Sequence, residues 1–119
     1  MMTTALGITG LYQDQAALCR TLSHPVRLAI LSVLRDGEQC VCHLEAALGL
    51  RQAYISQHLK VLREAGLVDD RRDGWNIFYR LCEPRIRKVT DSLSAFSGEP
   101  GRRLVLRASS RCPCPKCSS

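Results

Sequence analysis

Apolar residues along this chain recur mostly at helical spacing, and the breaks in that rhythm divide it into elements. A first helix is predicted from about Thr9 to Leu22, with Ala16, Ala17, Leu18 and Cys19 on its apolar side. Ser23-His24-Pro25 punctuates it. Ser23 is placed to cap a second helix, and Pro25 falls in its first turn, where a missing N–H costs little. This second helix runs to about Leu34 through Val26, Leu28, Ala29, Ile30, Leu31 and Val33. It is apolar almost all round, which is the pattern of a buried central helix. Asp36-Gly37 ends it. A short third helix is expected over about Val41–Leu48 and is broken by Gly49. A fourth spans about Gln52 to Ala65. Ile55, Leu59 and Leu62 form its buried stripe, and Gly66 closes its end.

The period then changes. Leu67 to Arg72 and Trp75 to Leu81 are β-prone runs on either side of Asp73-Gly74, a two-residue hairpin signal. Trp75 is expected to pack. A fifth helix follows from roughly Pro84 to Phe96, with Ile86, Val89, Thr90 and Leu93 on its apolar side. Beyond it the pattern dissolves. Residues 98–119 are rich in Ser, Pro, Gly and Arg, and are expected to form a flexible, basic, cysteine-rich tail on a body of residues 1–97. Helix, tight turn, helix and hairpin, in that order, predict a mainly α fold of five helices with a β-hairpin wing: a winged helix-turn-helix.

In that fold the fourth helix is the one that reads DNA. At ~1.5 Å per residue it is roughly 20 Å long, suited to a major groove about 12 Å wide. Gln57 lies about 200° and Lys60 about 140° round from Ile55, so both face outward. Gln52, Tyr54 and Ser56 flank the leading end. Glutamine pairs with the adenine edge, and serine accepts several partners. Arg51, Arg71 and Arg72 suit phosphate, which positions a protein without specifying sequence. His58 lies only about 60° from the buried stripe, so packing is its expected role.

Charge adds little to this case. The net charge is +6, but residues 1–100 are nearly balanced. The excess sits in the tail, on Arg102, Arg103, Arg107, Arg111 and Lys116. The DNA reading therefore rests on the motif. No run of about 18 apolar residues exists, so no membrane span is expected. The N-terminus lacks the features of a secretory signal, so the cytoplasm is the expected location. Seven cysteines, an odd number, then point to metal binding or redox chemistry rather than to a disulfide framework.

Leu22-Ser-His-Pro-Val-Arg-Leu-Ala-Ile-Leu31, Cys40-Val-Cys-His-Leu44, Ile55-Ser-Gln-His-Leu-Lys-Val-Leu-Arg-Glu-Ala-Gly-Leu-Val68 and the Asp-Gly hairpin together resemble the ArsR/SmtB repressors over about residues 15–95. The resemblance implies homodimers paired through the first and last helices. It also implies repression, at double-stranded operator DNA, of detoxification or efflux genes until an inducer binds. One inducer site of the family is a Cys-Val-Cys at the third helix that senses arsenite, antimonite, cadmium or lead, and Cys40-Val41-Cys42 looks like it. Another, a zinc site on the last helix, needs histidines. Here that helix has Asp91 and no histidine. Arsenite versions often continue as Cys-x-Cys-x-x-Cys, whereas this chain has Glu45 at the third place. The tail repeats the full spacing in Cys112-Pro-Cys114-Pro-Lys-Cys117, and Cys19 is a further possible donor.

Soft thiolates select soft ions, so As(III) or Sb(III) is the expected inducer, with Cd(II) or Pb(II) next. Cys40 and Cys42 stand at a helix start, where the dipole favours thiolate. Side chains two apart on an ideal helix point about 200° away from each other. An ion held by both must use the non-helical entry or distort the first turn. Cys19 and Cys82 are expected to pack. The competing reading is a thiol-redox repressor on the same fold, forming a disulfide among Cys19, Cys82 or the tail cysteines. Cys114-Pro-Lys-Cys117 also spells a C-x-x-C, but without the βαβ scaffold of a thiol oxidoreductase. No enzyme is therefore expected. A zinc-stabilised adaptor would need metal to fold, whereas the helical body looks self-sufficient.

Overall fold

A computed structural model describes the backbone of residues 2–98 and the side chains of residues 10–98. Along the chain come α1 (Met2–Leu22), α2 (Pro25–Leu34), β1 (Gln39–Cys40), α3 (Val41–Leu48), α4 (Gln52–Glu64), β2 (Val68–Asp73), β3 (Asn76–Leu81) and α5 (Ile86–Phe96). Among the described residues there are thus the five expected helices and a hairpin. The tail, with Cys112, Cys114 and Cys117, lies outside the described residues.

The ends of the elements differ from the expectations in instructive ways. The first helix begins at Met2 rather than Thr9. The cap of α2 is His24, not Ser23: the Nδ1 of His24 accepts the Val26 N–H at 3.1 Å. The Ser23 hydroxyl instead donates back to the Arg20 carbonyl at 2.8 Å. Ser23 therefore closes α1 rather than opening α2. The fifth helix begins at Ile86, because Glu83, Pro84 and Arg85 form a preceding turn. In the hairpin, Asp73 pairs with Asn76, so the two-residue loop is Gly74-Trp75 rather than Asp73-Gly74. Gly74 takes the left-handed conformation there (φ 63°). This places Trp75 at the tip of the wing with its side chain wholly exposed (101%), so it packs against nothing.

One element had no sequence signal. The two residues of β1 pair with β3, Gln39 opposite Tyr79 and Cys40 opposite Phe78, giving an antiparallel sheet in the order β1-β3-β2. A two-residue strand is too short for any alternation to show.

The core forms where α2 and α4 cross beneath the sheet. Ile30, Leu31, Val33 and Leu34 of α2 meet Leu44 of α3 and Ile55, Leu59 and Leu62 of α4. Leu67, Val68, Tyr79 and Ile86 close it from the wing and α5. From α1, Leu22 is buried and Leu18 half-buried, whereas Ala16 and Cys19 are exposed. The helix ends between α3 and the wing use glycine where a Cβ would be strained: Gly49 (φ 66°) caps α3 and Gly66 (φ 78°) follows α4. No single helix among the described residues is long and apolar enough to cross a membrane.

Candidate nucleic-acid interface and thiol site

The amphipathic pattern of α4 fixes what it offers to a partner. Burying Ile55, Leu59 and Leu62 turns Arg51, Gln52, Gln57 and Lys60 outward, and all four are exposed. Ser56 is half-buried beside them. Arg51 stands at the N-cap with no side-chain cap bond, so the leading N–H groups of α4 receive no side-chain acceptor from it. A row of amide and cationic groups at a helix N-terminus is suited to an anionic surface.

Tyr54 is drawn into a ring cluster. Its ring meets that of His58 edge-on at 4.8 Å between centroids, and that of His24 at 6.5 Å. His58 is buried, as its position near the apolar stripe predicts, and its Nδ1 accepts the Nε–H of Arg27 at 3.2 Å. Burial, reinforced by the charges of His24 and Arg27, holds the His58 imidazole below its ordinary pKa. Sequence reasoning had no role for His24 or Arg27, because their contacts run between helices 31 residues apart and leave no local pattern.

The two wing arginines differ. Arg72 is exposed. Arg71, expected to reach phosphate, makes a forked ion pair with Glu38, Nη2 to Oε1 at 2.6 Å and Nε to Oε2 at 3.1 Å. Its guanidinium also lies 4.7 Å from the centroid of the Phe78 ring. Arg71 thus fastens the wing to the segment ahead of β1. The missed signal was Glu38, whose reach to β2 depends on β1 joining the sheet.

The thiols of Cys40 and Cys42 converge. Cys40 is buried and is the N-cap of α3, with extended backbone (φ −76°, ψ 156°). Its Sγ accepts the His43 N–H at 3.2 Å. Because Cys40 lies outside the helical turn, the 200° divergence of an ideal helix does not apply, and its Sγ stands 2.7 Å from that of Cys42. Both side chains pack with Phe78 of β3. The pair therefore sits where α3, the first half of the helix-turn-helix, meets the wing. Buried polar atoms surround this junction: Oε1 of Gln39 and both ring nitrogens of His43 have no hydrogen-bond partner.

Among the described residues the two other cysteines are not where packing would put them. Cys19 and Cys82 are both exposed, and the Cys82 thiol donates to the Gly66 carbonyl at 3.2 Å. Among the described residues no three His, Cys, Asp or Glu side chains converge as a metal site. Two thiols suit a soft ion by chemistry but leave its coordination incomplete without a further donor. On the last helix, Asp91 makes an ion pair with Arg35 at the end of α2.

Known proteins resemble this chain over most of its length. Residues 24–70, from the cap of α2 into β2, match the family described as bacterial regulatory protein, arsR family. The biofilm growth-associated repressor of Agrobacterium fabrum is 46% identical over 91 residues, which are 76% of this chain and 78% of that protein. The solved structure of the transcriptional repressor BigR from Xylella fastidiosa is similar at a TM-score of 0.68 and 38% identity, over 81% of this chain and 96% of its own. The homodimeric winged helix-turn-helix DNA-binding domain Mb0332 from Mycobacterium bovis is similar at a TM-score of 0.67 and 27% identity, over 75% of this chain and 82% of its own.

Proposed function

Because this chain belongs to the arsR family of bacterial regulatory proteins, winged helix-turn-helix repressors of transcription, we propose that it binds operator DNA as a homodimer and lets go when its Cys40–Cys42 pair captures a soft metalloid. In this reading residues 1–97 bind DNA and dimerise. Arg51, Gln52, Tyr54, Ser56, Gln57 and Lys60 of α4 enter the major groove, and Arg72 meets phosphate. Arg71, held by Glu38 and still exposed, stands beside it for the same role. Two copies of α4 must then sit roughly 34 Å apart to fit successive major grooves.

The homodimer has a ready surface. Val89, Leu93 and Phe96 of α5, and Leu11 and Tyr12 of α1, are large apolar residues left exposed by the single chain. Covering them with the same helices of a second copy removes apolar area from water at about 25 cal/mol per Å².

The observation that carries the sensing role is the 2.7 Å approach of the Cys40 and Cys42 sulfurs at the join between α3 and the wing. As(III) or Sb(III) takes three thiolates, so Cys112, Cys114 or Cys117 of the tail completes the set. Cd(II) and Pb(II) are the alternatives for the same donors. Bound thiolates must spread around the ion. That motion pulls Cys40 away from its partners on β3 and re-aims α3, and with it α4. A second reading, thiol-redox release, is favoured by the same pair. Two thiols are what a two-electron couple needs: they lose two protons and two electrons to a peroxide or a polysulfide and form one S–S bond.

Titrating arsenite into the fully reduced protein on its own promoter DNA, without oxygen, separates these readings. Release at near-stoichiometric arsenite that Cys40→Ser abolishes supports metalloid sensing. Release by peroxide or polysulfide alone supports the redox reading. If the reduced protein shows no salt-sensitive DNA binding, the repressor assignment of these residues fails.

A further inference from the structure

Arg27 joins three helices. Its Nη1 donates to the Thr21 carbonyl at the end of α1 (3.1 Å), it stands on α2, and its Nε donates to Nδ1 of His58 on α4 (3.2 Å). His58 in turn packs its ring against His24 (4.2 Å between centroids) and Tyr54 (4.8 Å). His58 is buried, and its Nε2 has no hydrogen-bond partner among the described residues. We propose that Arg27 and His58 form a proton-sensitive latch that positions the DNA-reading helix, so that protonation of His58 loosens α4 and weakens DNA binding. The proposal rests on the DNA-reading assignment above and adds a control that does not involve the cysteines.

The chemistry is a change of donor for acceptor. A neutral imidazole that accepts at Nδ1 carries its proton on Nε2. Protonation puts an N–H on Nδ1, facing the N–H of Arg27, and the hydrogen bond becomes a clash of two donors. The added charge is also poorly placed. From α2 and its cap it faces Arg27 and His24, and from its own helix Tyr54; the bond that reaches α1, at the Thr21 carbonyl, is made by Arg27. The groups that shift its titration are burial, His24 and Arg27, all in the direction of the neutral form. With no carboxylate among those groups, protonation is relieved by moving α4 away from α2. Tyr54, at the leading end of α4, rests on the same imidazole and moves with it.

The sign is what makes this testable. Nucleic acid is a polyanion, so a histidine that merely faces it takes up a proton on binding, and affinity rises as pH falls. The latch demands the opposite. Affinity falls by up to about tenfold per pH unit below the point where His58 of the DNA-free protein titrates. The same group also sets a trend in stability. Its folded pKa is below the value of 6.5 it has when unfolded, so the unfolded chain binds the proton first. Stability therefore declines as pH falls from that value.

The experiment uses the full reduced chain and duplex promoter DNA at constant ionic strength, from about pH 7.5 to about pH 5.5. Binding is compared for the wild type, His58→Asn and His24→Asn. Asparagine at position 58 keeps an acceptor near the place of Nδ1 but does not titrate; at position 24 it is a good N-cap. The expected result is binding that weakens toward acid in the wild type and in His24→Asn, and a flattened profile in His58→Asn. Binding that strengthens toward acid, or a profile that His58→Asn leaves unchanged, overturns the latch. If His58→Asn does not fold, NMR titration of the three histidine rings in the wild-type protein decides. A His58 signal that titrates without disturbing the Tyr54 ring or the Arg27 Nε–H overturns the proposal. A chain that binds no DNA even at about pH 7.5 overturns the repressor reading and the latch together, whereas intact binding with the wrong pH dependence removes the latch alone.

Discussion

The helices α4 and α5 are built on the same plan and end in different places. Each carries apolar residues at spacings of three and four and a polar opposite face. On α4 the apolar stripe is consumed by this chain: Ile55, Leu59 and Leu62 are wholly buried. On α5 only Ile86 is buried, while Leu93 is 45% and Phe96 95% exposed. Amphipathicity says that a helix has a side to bury, but not whose atoms will bury it. For α4 the partners are α2 and α3, which leaves its polar face exposed. For α5 the partners within the chain run out after one turn, and the unmet apolar face is what a second copy would cover.

Emptying the α4 stripe has the largest expected effect. Leu59→Ala removes a fully buried side chain at the α2–α4 crossing and is expected to cost about 2–5 kcal/mol of folding stability, measured by urea unfolding. The corresponding change on α5 should act on assembly instead. Leu93→Glu places a charge on the exposed apolar face, and sedimentation is expected to show monomers whose folded helix content is unchanged. A dimer that survives Leu93→Glu would mean that α5 is not the covered face. A smaller effect is expected where α4 meets the wing. Gly66→Ala meets no neighbouring atom within 4 Å, so its cost is only that of a Cβ at φ 78°, about 1–2 kcal/mol.

Much of the body was legible because short-range patterns set it. The third helix falls on the expected residues, Val41–Leu48, and the stripe of α4 is buried as its spacing predicts. The outward direction of Gln57 and Lys60 follows from the same arithmetic. What was illegible depends on contacts between distant segments. No local rule shows that β1 will pair with β3, and without that pairing neither the anchoring of Arg71 by Glu38 nor the closeness of Cys40 to Phe78 can be foreseen. The His24 cap was hidden because Ser23 is the stronger capping residue by preference. Ser23 bonds back to Arg20 instead, and an imidazole does the capping. The Cys40 and Cys42 sulfurs stand together, and the divergence expected of an ideal helix does not apply because Cys40 is a cap and not a helical residue. Exposure of Cys19 and Cys82 was misjudged from the general tendency of cysteine to be buried.

The smallest expected effect on stability tests the wing against α5. Trp75 and Phe96 are both large aromatic residues left almost entirely in solvent, at 101% and 95% exposure. Their surroundings differ. Phe96 continues an apolar face with Leu93, next to a groove formed with Leu28 and Ala29. Trp75 stands alone at a two-residue loop with Asp73 and Asn76 on either side. A lone exposed side chain at a turn has no contacts to lose, so Trp75→Ala should change folding stability by less than about 0.5 kcal/mol in urea unfolding. Trp75 is also the only tryptophan of the chain, which makes its fluorescence an unambiguous report from the wing tip. Its emission should be that of an indole in water, both in the wild type and in Leu93→Glu, because the proposed pairing through α1 and α5 leaves the wing outside. An emission shift on dimerisation would place the wing in the interface and end the distinction between the two aromatic sites. A shift only on adding duplex DNA would keep it, with α5 facing the second copy and the wing facing the nucleic acid.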